Sequence, residues 1–163
     1  MIKFIINGIL GNIVGLASSS IYKLYCKTNK DKLDKLLPTD IMDIFYQCDF
    51  EKAINIDNIY KRLNIFRLNK NDKLETSEIR INEINNVEIV EDNNNEGDCK
   101  YIRLCISTNL IEYPHIELIF LKPMYLSGNG SFCKDSEVYQ NALVNATKCK
   151  KLIENSIHSS ICN

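Results

Sequence analysis

The stretch from Ala53 to Leu68 reads AINIDNIYKRLNIFRL, and the fold turns on how its apolar residues are grouped. Ile56, Ile59, Tyr60 and Leu63 recur at i, i+3, i+4 and i+7, the period of one helix face. Asn55 can cap the first exposed amides of such a helix, and Asn64, which tolerates left-handed backbone, can end it. Ile65 to Leu68 then opens the first strand. Read this way, helices precede the stretch and strands follow it.

Upstream, Thr39 and Asp40 make a helix start after Pro38, because a hydroxyl caps free amides and a carboxylate suits the positive end of the dipole. Ile41, Ile44, Phe45 and Cys48 supply that helix's apolar stripe, and the polar run Lys27 to Lys35 reads as a connector or a solvated turn. Downstream, the period becomes alternating, with turn residues at Asn69 to Asp72, Asn85 to Asn86 and Asp92 to Asp98. Strands are expected near 65–68, 77–84, 87–91, 101–107 and 115–121, with a hairpin turning at Asn85-Asn86. Ile116 to Leu121 is apolar on both faces, which predicts a central strand. A final helix is expected over 135–156, its stripe formed by Val138, Ala142, Ala146, Cys149 and Ile153. The class is therefore α+β: N-terminal helices, a central, mainly antiparallel sheet of about five strands, and a long C-terminal helix.

A length of 163 residues suits one domain that buries a core without staples. Lys and Arg number 20 against 21 Asp and Glu, so no net field draws the chain to a phosphate backbone. No basic strip is interleaved with aromatics, and nucleic acid is not an expected partner. Charge is nonetheless uneven. Lys23, Lys27, Lys30, Lys32 and Lys35 crowd one segment, whereas Glu75 to Asp98 carries Arg80 as its one cation among many carboxylates. The acidic run lacks the Asp-x-Asp-x-Asp-Gly spacing that wraps Ca²⁺ and reads as a solvated loop. Seven cysteines, odd in number and without a C-x-x-C pair, argue for reduced thiols and a cytoplasmic compartment.

Phe4 to Tyr22 is uncharged over a length that could cross a bilayer, though Asn7, Asn12 and three serines dilute it. Gly11, Gly15 and Ser19 lie four apart with Gly8 on the same side, a small-residue face that admits a second helix closely. Three readings stand: a membrane anchor, a secretory signal, or a helix packed on its own domain or on a second copy. The organisation expected is an apolar helix at 1–26 and a single α+β domain at 27–163.

Any histidine chemistry must use His115, since His158 stands near the end of the chain. His115 and Glu117 would share one face of a strand. Cys133, close to the start of the last helix, could be a thiol of lowered pKa. The loop Ser127 to Ser131 (SGNGS) could cradle an anion but departs from the Walker pattern. The run Ile54 to Ile65, then short strands, then His115 and Glu117, then Glu137-Val-Tyr-Gln-Asn141-Ala-Leu143 resembles an ImmA/IrrE-type metallopeptidase domain over residues 54–145. The resemblance implies that Glu137, Asn141 and Leu143 match that family's later E-x-x-A-N-x-F-A helix. Its H-E-x-x-H motif is missing, so it also implies an inactive, binding-only relative.

Two functions follow from these residues. One is a non-catalytic protein-binding protein, self-associating or membrane-attached through its N-terminal helix and needing no cofactor. The other is a hydrolase-like domain centred on His115 with Cys133 or Glu137. Alkaline extraction of the full chain beside a chain beginning at Lys27 separates the roles of the first helix. An anchor leaves only the full chain with membranes; a packing helix leaves both soluble, with the shortened chain unfolded or changed in mass.

Overall fold

The computed structural model describes residues 20–39, 41–123 and 130–161. Helix α1 is described over 20–36 and is followed by β1 (Ile44–Tyr46), β2 (Lys52–Asp57), β3 (Arg62–Leu68) and β4 (Leu74–Arg80). A 3₁₀ turn at Ile81–Glu83 leads into β5 (Ile84–Asn93), β6 (Cys99–Thr108), β7 (His115–Leu121) and the long helix α2 (Glu137–Ile161). The class is α+β. Strands β1 to β4 form one antiparallel sheet in chain order, and β5 to β7 form a second. The single sheet of about five strands is thus replaced by sheets of four and three.

The stretch expected to be a helix is a β-hairpin. Ile54 and Ile56 pair with Ile65 and Leu63 on one face, while Ala53 and Phe66 pair on the other. Alternation wins over the helical period because both faces of the strands have apolar surface to cover. Ile59 and Tyr60, which supplied the helical spacing, are exposed in the turn. There Asp57 Oδ1 accepts from both of their amides at 3.0 Å. The left-handed residue is Lys61, with φ of 55°, rather than Asn64. Asn64 instead donates from Nδ2 to Asn55 Oδ1 across the ladder.

The same physics corrects the helix expected after Thr39. Ile44 and Tyr46 turn towards α1 and Phe45 turns the other way, so the spacing that suited a helix serves the short strand β1. Lys27 to Lys35 is no connector but part of α1, whose Asn29 and Leu33 are buried one turn apart, with Leu37 buried just past its end. The helix passes through Cys26 and Lys27 without a break. Leu33 and Leu37 pack with Ala53 and Phe66, and Lys32 pairs with Asp72 at 2.8 Å. No helix among the described residues is long and apolar enough to cross a membrane. Most of Phe4 to Tyr22, including Gly8, Gly11, Gly15 and Ser19, lies outside the described residues.

Asn85-Asn86 is not a hairpin turn, for β4 and β5 belong to different sheets. Asn85 is the extra residue of a bulge near the start of β5 and donates to Asn109 Oδ1 at 2.7 Å. Strand β7 is an edge rather than the centre; β6 is central, and its Ile102, Leu104 and Ile106 are fully buried. One face of β7 is buried through Ile116, Leu118 and Phe120 while the other carries exposed His115 and Glu117, and the free edge is covered: Cys48 N donates to Ile119 O at 2.8 Å and Lys52 Nζ to Glu117 O at 2.9 Å. Helix α2 lies on the inner face of the second sheet through Tyr139, Ala142, Ala146, Cys149 and Ile153. Tyr139 takes the place expected of Val138, which is exposed, and His158 lies within this helix.

These layers meet at the loop 47–50. Asp49 is 1% exposed and accepts from Gln47 Nε2 at 2.8 Å, from Glu51 N at 3.1 Å and from the Lys122 ammonium. Its carbonyl accepts from Asn29 Nδ2 on α1 at 3.1 Å. Burial alone would push the Asp49 carboxyl up, but the hydrogen bonds from Lys122, Gln47 and Glu51 outweigh it and hold the group below its ordinary value. For Lys122, burial lowers the ammonium's pKa, yet the hydrogen bond and charge of Asp49 raise it overall. Asp49→Ala leaves that partly buried cation without its carboxylate, and is expected to cost about 3 kcal/mol in a urea melt at neutral pH. A depressed carboxyl contributes fully above its unfolded pKa and loses that contribution as pH falls through the folded one. The difference between wild type and variant should therefore shrink below about pH 4. A constant difference down to about pH 2 would show that the Asp49 charge carries none of it.

Candidate functional site

Register creates a polar recess beside β7. On the inner face of the first sheet, Ile56, Leu63 and Ile79 form one buried cross-strand row, and Ile54, Ile65 and Ser77 form the next. Lys52, Arg67 and Glu75 form a third row at the open end. Strand β7 passes beside that end, bringing Tyr113, His115, Ile116 and Glu117 against it. The result is a cleft of about 280 Å³ with Ile65 and Ile116 as its apolar part.

The charges of this cleft are not paired with one another. Glu117 Oε1 accepts from Arg103 at 3.4 Å, and Glu75 Oε1 accepts from Asn69 Nδ2 at 3.0 Å. Lys52, half-buried, gives one N–H to the Glu117 carbonyl. Burial pulls the Lys52 ammonium below its ordinary pKa, and the neighbouring Arg67 adds to that, with Glu117 and Asp49 opposing. Ser77 Oγ and Tyr113 Oη lie 3.3 Å apart, and His115 Nδ1 lies 3.4 Å from Ser107 Oγ.

His115 thus stands on a strand at the mouth of the cleft, sharing a face with Glu117 as the sequence implied. Cys133 and Glu137 are not beside it. Phe132 bridges to Cys99 at the start of β6, whereas His115 pairs with Ser107 near its end. Those two positions of β6 are eight residues apart, a span on the order of 25 Å. Glu137 and Asn141 are exposed on α2, on the opposite side of the second sheet from His115. Among the described residues, no three His, Cys, Asp or Glu side chains are placed to hold a metal ion. Of the cysteines, Cys149 is buried, whereas Cys48 and Cys105 are half-buried. Burial pushes the Cys48 thiol up to about 12. Of the SGNGS loop only Gly130 and Ser131 are described, and Ser131 Oγ accepts from Asn94 Nδ2 at 3.1 Å.

Sequence reasoning missed Lys52 and Arg67. The signal was present in KAINID, where Lys52, Ile54 and Ile56 alternate with Ala53 and Asn55. Read at period two, that segment puts the lysine on the face of the two isoleucines.

A second recess lies across the first sheet from the cleft. Helix α1 turns Tyr22, Cys26 and Asn29 inwards, which leaves Ile21 at 69%, Leu24 at 65% and Tyr25 at 42% exposure along its outer side. With Thr28, Lys32 and the β3–β4 turn these residues line a groove of about 800 Å³. Comparison with protein-family models, with curated proteins and with solved structures finds no match to this chain.

Burial and then the neighbouring Arg67 lower the Lys52 ammonium's pKa, which favours its free amine form. A limiting amine-reactive ester near neutral pH should label Lys52 in the wild type, and Arg67→Gln should reduce that labelling relative to exposed Lys70 and Lys148, because removing the positive neighbour raises the amine's pKa. Equal relative labelling in both chains, by peptide mass spectrometry, would sever the coupling.

Proposed function

We propose that the chain is a non-catalytic protein-binding module that meets its partner, a second copy or another protein, through the exposed side of α1. The observation that carries this reading is the row Ile21, Leu24 and Tyr25, spaced i, i+3 and i+4 and left uncovered beside the groove. A helix stripe of this kind is ordinarily buried against another element. Around it stand Lys32, Glu51, Arg67, Lys70 and Asp72, a polar rim about an apolar centre. The hydrolase-like reading that joins His115 to Cys133 or Glu137 needs one of those two beside it, and Cys133 stands near the far end of β6 while Glu137 lies across the second sheet.

Leu24→Asp places a charge on this row without touching the buried side of α1. Its effect on stability should stay within about 0.5 kcal/mol. The full chain should self-associate in sedimentation equilibrium or give a discrete protein adduct from a photo-cross-linker at position 24, and Leu24→Asp should weaken that association at least about tenfold. A chain that stays monomeric and yields no adduct in the expressing cells would overturn the reading.

A further inference from the structure

We propose that the cleft between the open end of the first sheet and β7 binds a small molecule through an oxyanion, held between Lys52 and Arg67. Cross-strand register makes these two residues direct neighbours on adjacent strands. Like charges directly opposite each other oppose the pairing of their strands; Glu75 flanks Arg67 across the ladder and Glu117 lies near Lys52, but among the described residues neither carboxylate forms an ion pair with these cations. Glu75 is engaged by Asn69, and Glu117 by Arg103, which is itself held by Asp92 at 2.6 Å. Among the described residues, the Arg67 guanidinium makes no hydrogen bond or ion pair, so its planar fork of N–H donors is free. Lys52 spends one donor on the Glu117 carbonyl and keeps two.

An oxyanion between the two cations would satisfy both, Arg67 in the bidentate manner and Lys52 as a point charge. Around that position the cleft offers neutral hydroxyls, Ser77 and Tyr113, with His115 at the mouth and Ile65 and Ile116 as apolar surface. A volume of about 280 Å³ admits a small ligand rather than a polymer segment. The chemistry selected is a carboxylate or phosphate on a compact body that is partly apolar and carries hydrogen-bonding groups. The proposal does not depend on the α1 groove, which lies on the other face of the sheet, although Arg67 stands on the lip between them.

The experiment is a titration of the full, isotopically labelled chain with sodium phosphate and with sodium acetate, at constant ionic strength against sodium chloride. Saturable shifts of amides at 52, 65–67, 75–77 and 113–117 are expected with one of the two oxyanions, and none with chloride. A phosphate response points to a phosphorylated ligand and an acetate response to a carboxylate. Arg67→Gln should weaken the response about tenfold or more, since it removes a charged bidentate partner from an exposed position. A melt of that variant matching wild type shows that the loss is local. A second variant, Lys52→Arg, which keeps the charge, should retain binding where Lys52→Gln loses it. Shifts that follow ionic strength alone, or equal affinity in Arg67→Gln, would overturn the proposal.

Discussion

A buried carboxylate holds the architecture together. Asp49 draws a side chain from its own loop, a backbone amide and the Lys122 ammonium, while its carbonyl takes a donor from α1. The next residue, Phe50, sits at a φ of 59°, a conformation that costs a bulky side chain about 1–2 kcal/mol. That cost is tolerated because the loop is fixed on several sides. Cys48 bonds to β7, and Phe50 lies 5.5 Å from the Tyr46 ring. Hydrophobic burial supplies most of the stability, at about 1.5–3 kcal/mol for each large side chain such as Leu63 or Ile106. It is non-directional, however, and cannot by itself decide how two sheets and two helices are arranged. The polar node does that, since a misplaced α1 or β7 would leave Asp49 buried with unmet hydrogen bonds.

The two sheets solve the edge problem unequally. In the second sheet β7 would present free carbonyls, and the loop before β2 together with the Lys52 side chain covers them. Lys52 therefore closes a sheet edge and lines a cleft at once, which places it half in and half out of water. The groove beside α1 and the cleft beside β7 lie on opposite faces of the same β-strands, and both include Arg67 and Glu75. A ligand drawing Arg67 into the cleft would withdraw it from the rim of the groove. The two binding readings thus meet at one side chain.

Much of the second half of the fold was legible. Tyr101 to Ser107 alternates apolar Ile102, Leu104 and Ile106 with polar partners, and half-buried strands read clearly at that period. The long last helix was equally legible, because Ala142, Ala146, Cys149 and Ile153 keep a helical repeat over several turns. The first half misled, for Ile56, Ile59, Tyr60 and Leu63 fit a helix as well as they fit two strands and their turn. Hairpin and helix differ there by which residues find partners, and those partners, Phe66, Leu33 and Ile79, lie elsewhere in the chain. Of the candidate site, His115 with Glu117 on one face was legible from local period. The Lys52 and Arg67 pair was not, because their meeting depends on a register set by the turn at 58–61.

By itself the sequence determined the class of the protein, its α+β composition, the strands from Tyr101 onwards and the closing helix, all matters of local period and turn chemistry. Tertiary structure decided that the first half is a sheet, that the sheets are two, that β7 is an edge, and that Cys133 and Glu137 stand far from His115. The reason is physical. Local preference separates helix from strand by a fraction of a kcal/mol per residue, whereas pairing a strand and burying its face is worth several times that once a partner is present.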